Sequence, residues 1–258
     1  MPQTKIVFFD IDGTLIDMQA KKITPKMLET LHRLQDRGIK ICIATGRSPM
    51  VLPKIDGVAF DAYLTFNGSL CYDRKGVIFS NPIPHKDVVR FIQNASALGR
   101  PVCVSTRDRL AANGTDADLT DYFFIANEPV PVADDFDAVC AEDIYQLMLG
   151  CRPKDYPALL DGAPGAKIAA WWDRAVDVIP AGGGKGIGIE KMLAYYGLDK
   201  GEALAFGDGN NDREMLQAVG TGVAMENGSP ELKAIADEIC GPVYEDGIYH
   251  YCADKGLI

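Results

Sequence analysis

At 258 residues and 47% apolar side chains, the chain is long enough to bury roughly 70–75% of its unfolded surface, so its core needs neither disulfides nor a structural metal. A formal net charge of −10, from 26 Lys and Arg against 36 Asp and Glu, argues against a nucleic-acid backbone or an anionic membrane as partner, and an acidic protein that handles phosphate must concentrate its few cations locally. The N-terminal apolar run is broken by Asp10 and Asp12, no stretch approaches the length of a membrane span, and seven cysteines without a C-x-x-C pair read as buried thiols, Cys42, Cys71 and Cys103 among them, in a reducing, cytoplasmic compartment.

The first element is Ile6-Val7-Phe8-Phe9, a run that suits a strand buried on both faces of a parallel sheet. It stops at Asp10-Ile11-Asp12-Gly13-Thr14. Two carboxylates therefore stand just past the strand's carboxyl end, where open α/β sheets bind ligands, and Gly13-Thr14 supplies a turn whose N–H groups can face an anion. A structural Asp/Gly turn is the alternative. Thr24-Pro25 then reads as an N-cap and first helical residue, and Met27, Leu28, Leu31 and Leu34 keep helical spacing until Gly38. Residues 39–44 form a second strand leading into Thr45-Gly46-Arg47, whose hydroxyl reaches the same crevice as Asp10 if the strands are parallel neighbours. Residues 62–66 form a third strand, with Asn67-Gly68 as a hairpin turn into residues 69–72.

The character changes at Asn81-Pro82-Ile83-Pro84, where two prolines in three residues mark a linker. Beyond it the spacing predicts a helix over 85–98 and strands over 102–104, 145–149, 168–172 and 176–179, a small α+β unit. Trp171 and Trp172 are expected on opposite faces of one strand, one in the core and one facing a cleft. Between Leu110 and Cys151 there is no Lys or Arg but nine acids, which read as a solvated face because their spacing matches no Ca²⁺ loop.

A second linker, Pro180-Ala181-Gly182-Gly183-Gly184, leads into Lys185-Gly186 and a helix stopped by Gly197. This is no nucleotide P-loop: Ile179 stands where the first Gly belongs, and Gly186 replaces the Ser or Thr. What remains is a Lys at a helix N-terminus, a place suited to an anion, with a solvated loop Lys as the alternative. Ala203-Leu204-Ala205-Phe206-Gly207-Asp208 repeats the opening motif of an apolar strand ending in a carboxylate, and Asp212 follows at the start of a helix carrying Met215, Leu216 and Val219. Residues 221–225 form a further strand, Ser229-Pro230 caps the next helix, and the stretch around Asp246-Gly247-Ile248 carries no motif.

If Asp10, Asp12 and Asp208 converge, two of their charges about 4 Å apart repel by roughly 4 kcal/mol at an effective dielectric of 20, and a cation is the natural remedy. Oxygen ligands without a neighbouring His or Cys select Mg²⁺, which favours a few carboxylates, water and a substrate phosphate. Lys185 and Thr45 then orient the phosphoryl oxygens, and the pattern specifies phosphoryl transfer.

Asp10-Ile11-Asp12-Gly13-Thr14, Ala44-Thr45-Gly46-Arg47, Lys185 and Gly207-Asp208-Gly209-Asn210-Asn211-Asp212 resemble, in that order, the four motifs of the haloacid dehalogenase-like (HAD) superfamily. Asn67-Gly68 and the position of the insertion look like its Cof-type phosphatases with a type-IIB α/β cap. The resemblance implies an α/β fold: a Rossmann-like parallel-sheet core from residues 1–81 and 183–258, and an inserted α+β cap at 82–182 that closes over the core and selects the substrate. It implies Asp10 as the nucleophile forming an aspartyl-phosphate and Asp12 as the acid and base. Mg²⁺ would bind the Asp10 carboxylate, the Asp12 backbone carbonyl and the Asp208 carboxylate. Thr45, Gly46, Lys185 and Asn211 would bind the phosphoryl group, with Asp212 supporting the metal or Lys185. The implied activity is hydrolysis of small phosphomonoesters, sugar phosphates first, by a cytoplasmic monomer or homodimer without nucleic-acid or membrane partners. A phosphosugar mutase of the same superfamily and a non-catalytic binding protein on this fold are the alternatives. Asn210 stands where relatives often carry an acid, and the triple glycine before Lys185 leaves open how firmly that lysine is placed.

Overall fold

The computed structural model describes residues 3–125, 127–170 and 172–258, which fall into two compact units. One comprises Met1–Arg47, Pro53–Ser80 and Gly184–Ile258, the other Ser48–Leu52 and Asn81–Gly183. No helix among the described residues is long and apolar enough to cross a membrane.

In chain order the first unit begins with β1 (Ile6–Phe9), α1 (Pro25–Asp36), β2 (Lys40–Ala44), β3 (Ala62–Thr65), β4 (Leu70–Asp73) and β5 (Gly76–Ser80). The second unit holds α2 (His85–Ala97), β6 (Cys103–Ser105), β7 (Leu110–Ala112), α3 (Ala117–Phe124), α4 (Phe136–Val139), β8 (Gln146–Gly150), α5 (Tyr156–Leu160), β9 (Ala166–Ala169) and β10 (Ala175–Pro180). The chain then returns to the first unit with α6 (Lys185–Tyr196), β11 (Ala203–Gly207), α7 (Arg213–Ala218), β12 (Thr221–Met225), α8 (Pro230–Lys233), β13 (Glu238–Cys240) and α9 (Gly247–Asp254).

The first unit is built on an eight-stranded sheet in the order β13-β12-β11-β1-β2-β3-β4-β5. The six strands from β13 to β3 run parallel, and β4 and β5 are added antiparallel. All four residues of β1 are fully buried, as a strand covered on both faces must be. On one face Ile6, Phe8, Cys42, Leu64 and Ala205 pack with Ile189 and Met192 of α6 and Met215 and Leu216 of α7. On the other, Phe9 stacks on Phe206 at 5.5 Å, and Phe206 meets Tyr251 of α9 edge-on at 5.4 Å. The expected α/β fold with a parallel-sheet core is therefore the one observed.

Local signals act as anticipated in several places. Thr24 accepts from the Met27 N–H at the start of α1, and Gly197 ends α6 in the left-handed region. All seven cysteines are free of disulfides and buried. The Asn67-Gly68 hairpin differs in detail. β3 and β4 pair through Thr65 and Leu70, so the connection is four residues, and left-handed φ values fall at Phe66, Asn67 and Gly68 rather than at Asn-Gly alone.

The second unit carries a five-stranded antiparallel sheet, β7-β6-β8-β10-β9, with Val104, Leu147, Leu149, Val176 and Val178 packed against Val88 and Phe91 of α2. β7, α3, α4 and α5 are not predicted by the sequence pattern. The strand read over 168–172 instead spans Ala166–Ala169, so Trp172 lies beyond it, with the Arg174 guanidinium 4.4 Å above its ring, and the alternation expected for the two tryptophans does not extend to it. Trp171 lies outside the described residues. The acidic stretch is not simply solvated. Asp116 and Asp118 pair with Arg100, Asp118 also with Arg152, and Asp121 with Arg174, so cations from outside the stretch answer it.

Candidate active site

The parallel register sets the site. Phe9 lies opposite Phe206 on β11 and Ile43 on β2, so the residues that follow these strands emerge side by side, and the Asp10 N–H donates to the Phe206 carbonyl at 3.0 Å. Asp10, Thr45 and Asp208 are thereby delivered to neighbouring strand ends, the crevice where an open parallel sheet presents its ligands. Carboxylate oxygens of Asp10, Asp208 and Asp212 lie within 4.8 Å of one another.

Lys185 is the counter-charge. Its side chain is fully buried, and Nζ donates to Asp10 Oδ1 at 2.7 Å and Asp212 Oδ1 at 2.5 Å. The reading of a solvated loop lysine is thus excluded. Gly184, immediately before it, is closely held: its backbone, at φ 147°, runs against the Glu214 carboxylate so closely that a Cβ would collide with it, and a Cβ on Gly68 would collide with the Gly184 carbonyl. Close packing requires both glycines.

The remaining acids have distinct partners. Asp212 Oδ2 accepts from the backbone N–H groups of Asp208 and Gly209, at 3.0 and 2.9 Å, so this side chain holds the loop after β11 as well as Lys185. Asp208 Oδ1 accepts from Thr14 Oγ1 at 2.8 Å. Gly13, at φ 86°, lets the chain pass directly over the Asp208 carboxylate, where a Cβ would clash. The Asp12 carboxylate is turned to Arg47, which meets it with Nε at 2.8 Å and Nη2 at 2.6 Å. Thr45 is buried, and its Oγ1 accepts from the Arg47 N–H at 3.1 Å. Asn67 accepts from Asn211 Nδ2 at 3.2 Å and lies against Gly46, where a Cβ would stand 3.1 Å from its Nδ2.

Charge balance is the dominant property of this cluster. Burial pushes the Asp10 carboxyl well above the ordinary carboxylate range, Lys185 opposes that, and Asp212 and Asp208 add to it. Asp208 is pushed up to about 7 by burial and then by Asp212. Burial alone would lower Lys185, but Asp10 and Asp212 outweigh it and hold the ammonium above its usual range. Three carboxylates thus share one buried ammonium and remain short of positive charge, which is the condition a divalent cation relieves.

The profile of the haloacid dehalogenase-like hydrolases matches residues 7–252. The chain belongs to that family. YkrA of Bacillus subtilis (strain 168) is 35% identical over 257 residues, covering 99% of each chain. The 5-amino-6-(5-phospho-D-ribitylamino)uracil phosphatase YitU of the same strain is 28% identical over 262 residues, covering 95% of each. Among solved structures, the HAD subclass IIB sugar phosphatase BT4131 superposes with a TM-score of 0.88 at 28% identity, over 99% of this chain and 100% of its own. The chain stands among the phosphatases of this superfamily.

Thr14, Arg47 and Asn67 join the site without having been singled out from the sequence. Thr14 and Arg47 each complete a recognised motif, and Asn67 enters the sequence reading as a turn residue and, with Gly68, as part of the Cof-type resemblance, without a role of its own at the site. Its left-handed φ of 50° and near-complete burial show a second use.

Proposed function

We propose that this phosphatase depends on Mg²⁺ and hydrolyses small phosphomonoesters, sugar phosphates foremost, through an aspartyl-phosphate on Asp10. The observation that carries the reading is the fully buried Lys185 ammonium held between Asp10 and Asp212 beside Asp208. An ammonium fixed against the nucleophile's own carboxylate also stands where a phosphoryl oxygen arrives. The substrate class is supported by BT4131, which is a sugar phosphatase.

The donor set fits a hard divalent ion, since it offers carboxylate oxygens with a deficit of positive charge. Asp10 and Asp208 would hold it with their carboxylates and Asp12 with its backbone carbonyl. Asp212, whose two oxygens already accept from Lys185 and two backbone N–H groups, orients the ligands instead. When bound, the ion supplies positive charge against the phosphoryl oxygens and offsets the repulsion among the acids.

In this reading an Asp10 oxygen attacks phosphorus while the bond to the ester oxygen breaks, and Asp12 gives its proton to the departing alkoxide. Asp12 then takes a proton from the water that attacks the aspartyl-phosphate, which frees Asp10 and yields inorganic phosphate. Lys185, Thr45, the Gly46 backbone and Asn211 hold the phosphoryl oxygens through both steps. The segment 82–182 serves as the cap that chooses among esters, and the seven free, buried cysteines suit the cytoplasm.

Phosphate release from 4-nitrophenyl phosphate and from a panel of sugar phosphates, with Mg²⁺ and with chelator, tests the proposal. Mg²⁺-dependent release that Asp10→Asn abolishes is expected. Isomerisation of a sugar phosphate without net phosphate release would identify a mutase instead, and wild-type turnover by Asp10→Asn would remove Asp10 as the nucleophile.

A further inference from the structure

Two cations serve this site, and they are used differently. Lys185 is sealed in, with 0% side-chain exposure, whereas Arg47 and Asp12 are each 34% exposed. The guanidinium meets the Asp12 carboxylate as a two-point fork, Nε to Oδ2 at 2.8 Å and Nη2 to Oδ1 at 2.6 Å. The backbone behind each partner is fixed. The Arg47 N–H donates to Thr45 Oγ1 at 3.1 Å and its carbonyl accepts from the Phe66 N–H at 3.0 Å, while Gly13 N–H donates to the Ile16 carbonyl at 2.9 Å. The fork therefore sets the direction in which the Asp12 carboxylate points, and Asp12 is not among the three carboxylates that lie within 4.8 Å of one another.

We propose that Arg47 is a positioning residue for Asp12, and that it serves the second half of the cycle, the hydrolysis of the aspartyl-phosphate, more than the first. The inference rests on the aspartyl-phosphate reading above. Both Asp12 oxygens accept from Arg47, so the arrangement suits the carboxylate that receives a proton from water and not the carboxyl that gives one to a leaving group. The first half needs Asp12 in its proton-donating form, and an aryl phosphate, whose leaving group departs as a stable anion, needs it least. Lysine would not substitute fully, because it offers a point charge in place of two donors at fixed spacing.

The test uses the full chain with Mg²⁺ and 4-nitrophenyl phosphate, comparing wild type, Arg47→Ala and Arg47→Lys by steady-state kinetics and rapid acid quench. For Arg47→Ala the expected result is a fall in kcat of about 10- to 100-fold, part of what a general base contributes, with KM falling in step, so that kcat/KM, which reports the first half, stays near wild type. Phosphoenzyme per site rises toward saturation during turnover. Low concentrations of guanidinium speed its decay, and Arg47→Lys lies between. A raised KM with a slowed burst would show that Arg47 grips the phosphoryl group directly and would overturn the inference. An equal loss in both halves with a lowered melting temperature would reduce Arg47 to a structural role, and an unchanged phosphoenzyme level would overturn it outright. If the wild type forms no phosphoenzyme on Asp10, the parent reading fails and this one with it; if it does and Arg47→Ala leaves its level unaltered, only this one fails.

Discussion

Replacing Lys185 by Met keeps most of the side chain's bulk and removes the single buried positive charge between Asp10 and Asp212. At the observed separations of 2.7 and 2.5 Å, each pair attracts by about 6 kcal/mol at an effective dielectric of 20. Most of that is offset by the cost of stripping water from the ammonium, so the net loss on deleting one partner of such a buried set is about 3–5 kcal/mol. At about 2–4 °C per kcal/mol for a chain of this size, the unfolding transition of the first unit falls by roughly 6–20 °C. The effect depends on pH with a definite sign. Asp10 and Asp208 sit above the ordinary carboxylate range in the metal-free fold, Asp208 at about 7. The native state therefore binds more protons than the unfolded chain between that range and neutrality, and stability declines as pH rises through the window. Without Lys185 the acids must relieve their repulsion by taking up protons. The variant's deficit is therefore smaller near pH 5 than near pH 8. Thermal unfolding of both proteins in chelator across that range measures this, alongside kcat/KM, which should drop about 10²- to 10³-fold with the loss of a fixed electrostatic donor. An unchanged melting temperature with a parallel pH profile would refute the reasoning.

Two further outcomes follow from the same geometry. Gly13→Ala forces a side chain into a φ of 86° and against the Asp208 carboxylate; the backbone strain alone costs about 1–3 kcal/mol, and the Mg²⁺ concentration for half-maximal activity should rise sharply, whereas wild-type Mg²⁺ dependence would show that Asp208 is not a ligand. Mg²⁺ added to the metal-free wild type should raise its melting temperature more near pH 8 than near pH 5, by about 2.7 kcal/mol of stability at a hundredfold excess over Kd, and a shift of equal size at both pH values would contradict the charge-deficit account.

Much of the fold is legible in the sequence because each strand that matters ends abruptly: Phe9 before Asp10, Ala44 before Thr45, Phe206 shortly before Asp208. The capped helices are equally readable from Thr24-Pro25 and Ser229-Pro230, both of which accept the expected backbone N–H. What escapes is whatever depends on distant partners. Nothing local distinguishes a buried Lys185 from a solvated one, since its partner Asp10 is 175 residues away. The same holds for Asp12, whose fork on Arg47 spans 35 positions. Edge strands such as Gly76–Ser80, largely exposed, show no hydrophobic alternation to read. α3 lies hidden in a stretch whose acids suggest solvent; its real signal is the Asp116 N-cap on Leu119 and the buried Leu119 and Phe123 four residues apart. Asp246, in a stretch that carries no motif, accepts a hydrogen bond from Thr24 and pairs with Lys26, a contact visible only once the ends of the first unit meet.

The most direct test of the account is to trap the covalent intermediate. Enzyme quenched during turnover with Mg²⁺ and reduced with borohydride should carry homoserine in place of Asp10 in the tryptic peptide spanning residues 6–21, and the conversion should vanish without substrate or in Asp10→Asn. Turnover at full rate with Asp10 recovered unmodified, or with the modification on a different residue, would contradict it.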